Sequence, residues 1–482
     1  MSETEVSLFW RKSMASLTRG DGEGLQLRRA LGPVSLVMLG IGCIIGAGLF
    51  ALTGIVASQN TGPAVVLSFV VAAVGCGFAG LCYAELASMI PRAGSAYTYA
   101  YATMGELVAW IIGWDLVLEY SVAAAAVAVS WSGYVVRLLA SFGIVLPVQY
   151  TSAPWSVVKL ADGTMAHGIV NLPALFIIVV LSLLLIRGVT ESAVVNNIIV
   201  TVKVAVVLAV LGFGIPYIHA GNYHPFIPAN TGTLGSFGFS GIMRGAGVLF
   251  FAYVGFDAVS TAAQEARNPA RDMPIGIIGS LAICTVLYIA FGAVLTGMLN
   301  YHAMLNDPTP VASAIALTGK PWLVLAVTVG IIGGYTTVIL TSLYGQSRVF
   351  YSMATDGLLP PVFARIHPIL RTPYLSHLIF MVFTGALAAF LPIQELGEMT
   401  SIGTLLAFII VCIGVMMLRR SNPDHPRRFK VMGSPAIPVL GILSCLAMMV
   451  FLNGLVWVRL IVWLAIGLLI YAFYGRRHAY RD

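Results

Sequence analysis

The chain has 482 residues, of which 59% are apolar and only 9% are charged. Ordinary soluble domains carry about 25% charged residues, so a soluble fold of this composition could not cover its own surface. The apolar residues form repeated runs of about twenty, the length that spans a bilayer, and the composition therefore indicates an all-α integral membrane protein in a lipid bilayer.

The formal net charge of +7 does not indicate a nucleic-acid partner, because the basic residues lie in short segments between apolar runs rather than on one face. All six cysteines lie inside apolar runs and form no CxxC pair, which argues against a disulfide framework and against a zinc site. The eight histidines include no HExxH motif, so neither a metal ion nor another cofactor is predicted.

Residues 1–30 are polar and charged and lack the early apolar core of a signal peptide, so we expect a cytoplasmic N-terminal segment. Twelve apolar runs follow, each bounded by charged residues, Pro or Gly, and we expect each to be a transmembrane helix. The runs lie near 31–57, 64–90, 105–134, 171–188, 194–219, 238–262, 274–299, 321–352, 375–392, 396–418, 435–452 and 455–475.

The basic residues test this count independently, since cytoplasmic loops carry an excess of Lys and Arg. Twenty of the 26 fall in segments on the side of the N-terminus, and one, Lys203, lies inside a helix. The opposite side holds five: Arg137, Lys159, Arg244, Lys320 and Arg459. The asymmetry predicts a multi-pass protein of the cell's inner (plasma) membrane with both termini, including the tail 476–482, in the cytoplasm.

The first run contains GIGCIIGAGLF, which places Gly40, Gly42, Gly46 and Gly48 together at mid-membrane. Each glycine lowers helicity by about 1 kcal/mol, and unwound backbone at this depth survives only where it is buried or lines a cavity. Close helix packing is the alternative explanation. We interpret the run as a broken helix.

Charged residues inside the third and fifth runs are candidates for a functional role. The third run carries Asp115 and Glu119 at positions i and i+4 of one helical face, and Asp115 near the helix end could also be solvated. Lys203 lies deep in the fifth run, where an unpaired lysine costs at least about 2.5 kcal/mol. It could exchange a proton, or remain a fixed cation tied to carbonyls of the first helix in the place of a sodium ion. Glu119 is its expected partner, directly or through Tyr288 of the seventh run.

The sixth run repeats the glycine pattern as GIMRGAGVLFFAYVGFD, five helices after the first. An odd interval reverses the direction of entry, so we predict two inverted repeats of five helices, 31–219 and 238–418, with helices 1 and 6 discontinuous. The last two helices, 435–475, lie outside the repeat. Asp257 and Glu265 lie toward the cytoplasmic end of the sixth helix, where pairing with Arg267 or Arg271 is the ordinary explanation.

An interrupted helix exposes N–H groups that suit an anion and carbonyl groups that suit a cation. A zwitterion with both charges a few ångströms apart fits both, which describes an α-amino acid. An organic anion or a polyamine would use one half of such a site.

Several long motifs in order support this interpretation. They are GIGCIIGAGLF, AELASMIPRAGSAYTYAYATMGE, GFDAVSTAAQEARNPARDMPIGI, YGQSRVFYSMATDGLLP and SIGTLLAFIIVCIGVMMLRR. Together they resemble the cationic amino acid transporter family of the amino acid-polyamine-organocation superfamily. The resemblance implies the five-plus-five inverted repeat, two extra helices, and alternating access around a central site for an L-amino acid.

Carried onto this chain, the resemblance implies a site in three parts. The substrate carboxylate is expected at the N–H groups of Gly46, Ala47 and Gly48. The α-amino group is expected at the carbonyls of Ile44, Phe251, Ala252 and Val254. Thr341 and Ser342 of helix 8 are small and polar where relatives often carry a larger apolar residue, which favours a broad substrate range that includes arginine and lysine.

Bacterial members of this type resemble proton-coupled symporters with a lysine in helix 5 and an acid in helix 3, which Lys203 and Glu119 match. Animal members tend to lack that acid, so the chain resembles the bacterial, proton-driven branch. An amino acid exchanger would share all of these features except net proton movement. A transport-inactive amino-acid sensor is a third hypothesis. No nucleophile, base and metal set indicates a membrane enzyme. The sequence does not identify a partner subunit.

Overall fold

The computed structural model describes Trp10 and residues 31–90, 95–154, 156–159, 165–188, 193–424 and 426–480. The rest of the predicted N-terminal segment lies outside the described residues. Over the described part the chain is mostly helical, and its only named strands form one short antiparallel hairpin, β1 (Val157–Lys159) with β2 (Met165–His167).

The helices of the first half begin with α1 (Pro33–Ile44), α2 (48–61), α3 (Val65–Met89) and α4 (Ser95–Thr103). They continue with α5 (Glu106–Ser141), α6 (Leu172–Ile186) and α7 (Ala193–Gly214). The second half contains α8 (Gly238–Leu249), α9 (Ala258–Thr261), α10 (Pro269–Met298), α11 (Pro310–Ala316) and α12 (Pro321–Thr355). It ends with α13 (Tyr374–Phe390), α14 (Ile393–Ser421), α15 (Ala436–Phe451) and α16 (Gly454–Ile470).

Among the described residues, eight helical runs are long and apolar enough to cross a membrane, and four shorter apolar helices accompany them. The shorter ones are α1, α6, α13 and α15. Every apolar run predicted from the sequence coincides with one of these helices or with a broken pair of them. The chain is thus a mostly helical, multi-pass membrane protein, because a bilayer tolerates only helices or closed barrels.

The first predicted membrane helix is interrupted near its middle. Helix α1 ends at Ile44, Ile45 is extended (φ −71°, ψ 106°), and the chain resumes helical turns at Gly48. The second part, α2, includes two π-helical stretches, Gly48–Leu52 and Ala57–Thr61. Four nearby glycines explain why the helix stops here, since each lowers the helical preference of the segment.

The sixth predicted membrane helix is interrupted in the same manner. After α8 the chain forms a tight turn over Phe250–Tyr253, extends at Val254 (φ −58°, ψ 133°), and turns left-handed at Gly255 (φ 118°) before α9. Both predicted interruptions are therefore present in the structure. They lie in the buried interior, where non-helical backbone is shielded from lipid.

The two interruptions are packed directly against one another. A Cβ atom added at Gly48 would lie 2.5 Å from Cβ of Ala252, and one added at Gly255 would lie 2.9 Å from the carbonyl carbon of Cys43. Around this centre, α10 packs along α3 and α1, while α12 packs against α5 and α7. The fold therefore brings two stretches of non-helical backbone together in the middle of the helix bundle.

Candidate functional site

A cavity of about 60 Å³ lies where the two interruptions meet. Its walls come from the end of α1, the start of α2, the turn after α8, and the middle of α5 and α12. One water-sized group needs about 10–15 Å³ by the same measure, so the cavity holds roughly four such groups. A compact polar molecule the size of a small amino acid backbone matches this volume.

Gly46, Ala47 and Gly48 line one wall of the cavity, as predicted for the anion-binding part. Gly46 and Ala47 lead into α2 and Gly48 begins it, and the first N–H groups of a helix have no carbonyl on a preceding turn to bind. The carbonyl of Gly46 already accepts hydrogen bonds from Leu49 N at 3.2 Å and Phe50 N at 3.3 Å, so this turn is held in place. The wall therefore offers donors and the positive end of a helix dipole.

Ile44, Phe251 and Val254 also line the cavity, whereas Ala252 lies behind its wall. The hydroxyl of Tyr288 on α10 lies 2.8 Å from the carbonyl oxygen of Ile44 and 3.0 Å from that of Ala252. A phenol has only one proton to donate, so the two carbonyl groups share it. Tyr288 thus connects the two broken helices at the carbonyl groups predicted to meet the amine.

Helix α12 supplies a polar patch to the cavity. Thr341 and Ser342 both line it beside Val338. The Thr341 hydroxyl donates within its own helix, to the carbonyl oxygens of Thr337 at 2.9 Å or Val338 at 3.0 Å. The Thr341 oxygen can still accept a hydrogen bond from a molecule in the cavity. Because Thr341 and Ser342 are both small, this wall leaves space beside the part of the cavity that matches an amino acid backbone.

Two acidic side chains close the opposite part of the cavity. Glu119 lies in a π-helical stretch of α5, Leu118–Val122, and π-helical turns occur frequently at functional sites. Glu119 and Asp257 both line the cavity and are buried, so two carboxyl groups lie in one small space. Neither Glu119 oxygen has a hydrogen-bond partner, while Asp257 Oδ2 accepts from the Ser95 hydroxyl at 3.3 Å.

This placement corrects two sequence interpretations. Asp257 does not pair with Arg267 or Arg271, because it lies inside the bundle beside Glu119 and one of its oxygens, Oδ1, has no partner. Asp115 is buried, with only 2% of its surface exposed, so it is not a solvated residue near the helix end.

Lys203 is also buried, but it is not part of the cavity lining. Its ammonium group donates to the carbonyl oxygen of Gly42 at 2.7 Å, and its stem packs against Gly334 of α12. The expected pairing with Glu119 is wrong, because Lys203 reaches the end of α1 from α7 whereas Glu119 turns toward Asp257 across the cavity. Instead, Lys203 forms the other contact considered in the sequence analysis, a hydrogen bond to a carbonyl group of the first helix.

Ser401 of α14 is a residue that the sequence analysis did not single out. Its hydroxyl donates to the carbonyl oxygen of Val248 at 3.2 Å and accepts from the N–H group of Phe251 at 3.1 Å. It thereby holds the turn in helix 6 just as Lys203 holds the end of α1. The predicted repeat could have pointed to Ser401. In a five-plus-five arrangement helix 10 corresponds to helix 5, so a polar residue on helix 10 is expected to bond helix 6 as Lys203 on helix 5 bonds helix 1.

An aromatic cluster packs around the first turn of α2. Phe50 packs edge-on against Phe291 at 5.7 Å between ring centroids and lies 6.2 Å from Tyr335, which in turn contacts Tyr134 at 5.8 Å. The Tyr134 hydroxyl donates to the carbonyl oxygen of Phe50 at 3.0 Å. All four rings are buried, so the chain just beyond the cavity wall at Gly48 is tightly packed.

No group of three His, Cys, Asp or Glu side chains within the described ranges is placed to hold a metal ion. The polar groups around the cavity are instead helix ends, hydroxyl groups and a pair of acids. Such a set binds a small polar molecule by complementary charge and hydrogen bonds.

Comparison with known proteins agrees with this description. The family model for amino acid permeases matches residues 31–474. The chain is 44% identical to the branched-chain amino acid permease BcaP of Bacillus subtilis, over 98% of each chain, and 42% identical to the methylthioribose transporter of the same organism, over 98% of this chain and 99% of the relative. It is 39% identical to the vacuolar cationic amino acid transporter 4 of Arabidopsis thaliana, over 87% of this chain and 68% of the relative.

These matches cover nearly the whole chain, including both broken helices and every wall of the cavity. They also show that it is a permease and not an enzyme. The chain belongs to the amino acid permease family of the amino acid-polyamine-organocation superfamily.

Proposed function

We propose that this protein takes up amino acids together with protons, by alternating access across the plasma membrane. The observation that carries the proposal is the meeting of two broken helices at one small cavity, with helix N-terminal donors on one wall and carbonyl acceptors on another. A cavity with N–H donors on one wall and carbonyl acceptors on another favours a zwitterion over a simple anion or cation. Helix pairs broken at mid-membrane are typical of transporter binding sites.

In the proposed complex the substrate carboxylate binds the N–H groups of Gly46, Ala47 and Gly48. The α-amino group binds the carbonyl oxygens of Ile44, Phe251 and Val254. Ala252 acts from behind the wall, where its carbonyl shares the Tyr288 proton with Ile44 and fixes the spacing between the two helices. This modifies the expectation that the Ala252 carbonyl meets the amine directly.

The substrate side chain extends toward Thr341 and Ser342. This wall is polar and its side chains are small, and Glu119 and Asp257 lie in the same cavity lining. In the observed state the cavity matches only a small amino acid backbone, so binding of arginine or lysine requires it to widen along this wall. We therefore propose a broad amino-acid range that includes cationic substrates. The name of one relative, a cationic amino acid transporter, is in line with this range.

The acid pair provides a place for the transported proton. Two carboxyl groups this close together inside a bundle cannot both be ionised at low cost, so Glu119 and Asp257 hold a proton between them. The substrate binds while the pair is protonated, and the pair releases its proton to the cytoplasm after the substrate has been carried inward, which couples the two movements. Lys203, fixed to Gly42, supplies the positive charge that a sodium ion would otherwise supply at the first helix, and Tyr288 transmits its position to helix 6.

The proposed framework has twelve spans, with both termini in the cytoplasm and an inverted repeat of five helices. The matching ties support the repeat. Lys203 on the fifth helix bonds the interrupted first helix, and Ser401 on the tenth bonds the interrupted sixth. Alternating access then corresponds to one set of helices rocking about the other, with the aromatic cluster around Phe50 opening on one side.

Reconstitution of the purified protein into liposomes tests the proposal. Symport predicts uptake of labelled amino acid into empty liposomes when an inward proton gradient is imposed, together with alkalinisation outside. Uptake only after preloading with unlabelled amino acid would indicate an exchanger instead. Binding without any flux would indicate a sensor. A competition panel of the twenty amino acids against one bound tracer defines the substrate range.

A further inference from the structure

A second cavity, of about 340 Å³, lies far from the first, between the last turns of α5 and the start of α12. Arg137 and Lys320 contribute its charged groups, and Leu138, Val324 and Leu325 contribute an apolar wall. None of its lining residues takes part in the amino-acid site. The sequence places both cations on the side opposite the N-terminus, where only five of the 26 basic residues lie.

The charged end of this groove is held in a fixed arrangement. Arg137 Nη1 donates to the hydroxyl oxygens of Thr309 at 2.9 Å and Ser313 at 2.8 Å, at the start of α11. Both acceptors are neutral, and behind them the Asp307 carboxylate accepts from the Thr309 hydroxyl at 3.3 Å. With Lys320 the group has two cations to this one anion, so its net charge stays positive. Lys320 lies over the ring of Phe213 at 4.8 Å, a contact that positions the ammonium group and leaves its charge in place.

The groove lining contains two cations and no carboxylate. Among the described residues, the ion pairs of this structure involve neither Arg137 nor Lys320. The two side chains therefore form a site of net positive charge that attracts an anion. Arg is suited to the planar oxygens of a phosphate, and Lys adds a point charge.

The position of the groove favours an anion that belongs to the membrane. Trp322, directly after Lys320 and Pro321, is 59% exposed, and amphipathic rings of this kind are enriched at the level of lipid head groups. Leu325 and Val329 follow along the outward surface of α12 at 43% and 51% exposure, which is where acyl chains lie. The charged end of the groove thus meets the head-group level, and its apolar wall continues into the hydrocarbon.

We propose that this groove binds one anionic phospholipid, with its phosphate between Arg137 and Lys320 and one acyl chain along Val324 and Leu325. A lipid without an amino group is preferred, because the lining has no carboxylate to accept one. The bound lipid connects α12 to α5 and α11, the two helices that Arg137 already links through Thr309 and Ser313. The site is independent of the proposed transport cycle and can be tested without it.

Native mass spectrometry of the full-length protein in a mild detergent tests the proposal, with titration of phosphatidylglycerol and, separately, of phosphatidylethanolamine. The wild type is expected to bind one phosphatidylglycerol per protein. At the same lipid concentration, the fraction of protein that carries phosphatidylethanolamine should be at least fivefold lower. Lys320→Gln and Arg137→Gln are each expected to reduce that retention at least fivefold. Arg459→Gln removes a cation on the same side that is paired with Glu395, and serves as the control that retains the lipid.

Lys320→Gln is the decisive variant, because Lys320 contacts a ring rather than α11, so its loss leaves the bonds from Arg137 to α11 intact. Equal retention of phosphatidylglycerol by wild type and Lys320→Gln would overturn the proposal, as would equal retention of the two lipids by the wild type. A third arm adds inorganic phosphate or glycerol 3-phosphate in excess. Displacement of the lipid by either at millimolar concentration would assign the groove to a soluble phosphate instead, while persistence of the bound lipid supports the lipid site.

Discussion

Gly255 lies directly against the main chain of Cys43, so the interruption of helix 6 rests on the end of α1. The residue adopts φ 118°, a conformation that side-chain-bearing residues rarely adopt, and a Cβ atom there would lie 2.9 Å from both the carbonyl carbon and oxygen of Cys43. Backbone therefore meets backbone at the centre of the bundle. The contact places both walls of the amino-acid cavity at a fixed distance from each other.

Gly255→Ala is expected to separate the two interruptions. The substitution combines an unfavourable backbone conformation with steric overlap, which together cost at least about 2 kcal/mol. We expect a lower melting temperature in detergent and at least a tenfold loss of substrate binding, measured by scintillation proximity with labelled amino acid.

Gly77→Ala on α3 is the matched control, since a Cβ atom added there meets nothing within 4 Å. It should bind substrate as the wild type does and melt at the same temperature or slightly higher, because alanine favours helix. Full binding by Gly255→Ala would show that the contact with Cys43 does not set the cavity.

A buried ion cluster joins the end of α3 to the end of α14 and the segment after it. We expect this cluster to contribute strongly to the free energy of unfolding. Glu85 accepts from Arg419 Nε at 3.0 Å and from the N–H group of Val431 at 2.8 Å, and Arg427 Nε lies 3.5 Å from it. Glu85→Gln leaves two arginines without their anion. Removing one partner of a buried pair costs about 3–5 kcal/mol, so the melting temperature should fall by several degrees.

Glu395→Gln is the comparison, because its ion pair with Arg459 is about one-third exposed on both sides. Exposed pairs contribute about 0–1 kcal/mol, so this variant should melt within a degree or two of the wild type. Similar shifts for the two variants in the same detergent would contradict a structural role of the Glu85 cluster.

The broken helices could be predicted from the sequence because glycine acts locally: four glycines in nine residues stop a helix wherever the rest of the chain goes. The walls at Gly46, Ala47 and Gly48 followed from that break. The partner of a buried charge could not be predicted in the same way. Lys203 and Glu119 both lie deep in apolar runs, but which groups they meet depends on the rotation of each helix about its axis. A π-helical turn at Leu118–Val122, which apolar periodicity does not reveal, alters that rotation on α5.

Ser401→Ala is expected to weaken substrate binding without changing the cavity walls. The variant removes the acceptor for Phe251 N and the donor for Val248 O, two hydrogen bonds that hold the turn in helix 6. An unsatisfied buried group costs about 1–3 kcal/mol, which corresponds to roughly five- to 150-fold weaker binding where the loss appears in the bound state. Equilibrium binding of labelled amino acid is the measurement.

Ser401→Thr keeps the hydroxyl group and should restore most of the affinity. Ser444→Ala on α15 controls for the loss of a serine hydroxyl inside a membrane helix, because the partly buried Ser444 donates only within its own helix, to Gly441 O. An unaltered affinity in Ser401→Ala would show that the turn holds its shape without this residue.

Ser342→Met is expected to narrow the substrate range toward small amino acids. Ser342 lines a cavity of about 60 Å³, and a methionine side chain would occupy the space beyond the substrate backbone. The ratio of arginine to alanine needed to displace a bound tracer should rise at least tenfold. Val329→Met, on the lipid-facing surface of the same helix, should leave the ratio unchanged, and an unchanged ratio in Ser342→Met would place the side-chain pocket elsewhere.

Lys203→Met is expected to leave the protein folded while weakening proton-driven uptake. Methionine has a similar length and apolar stem, so the packing against Gly334 survives, but the charge and the 2.7 Å bond to Gly42 are lost. A buried cation is retained in a membrane helix only where it is paired or functional, and here it holds the end of α1 beside the cavity. Uptake into liposomes at external pH 5.5 and 7.5 measures the effect, and the acceleration at low pH should fall at least fivefold. Lys430→Met removes an exposed lysine and should keep the full acceleration. Wild-type acceleration in Lys203→Met would mean that the proton is coupled without this charge, through Glu119 and Asp257 alone.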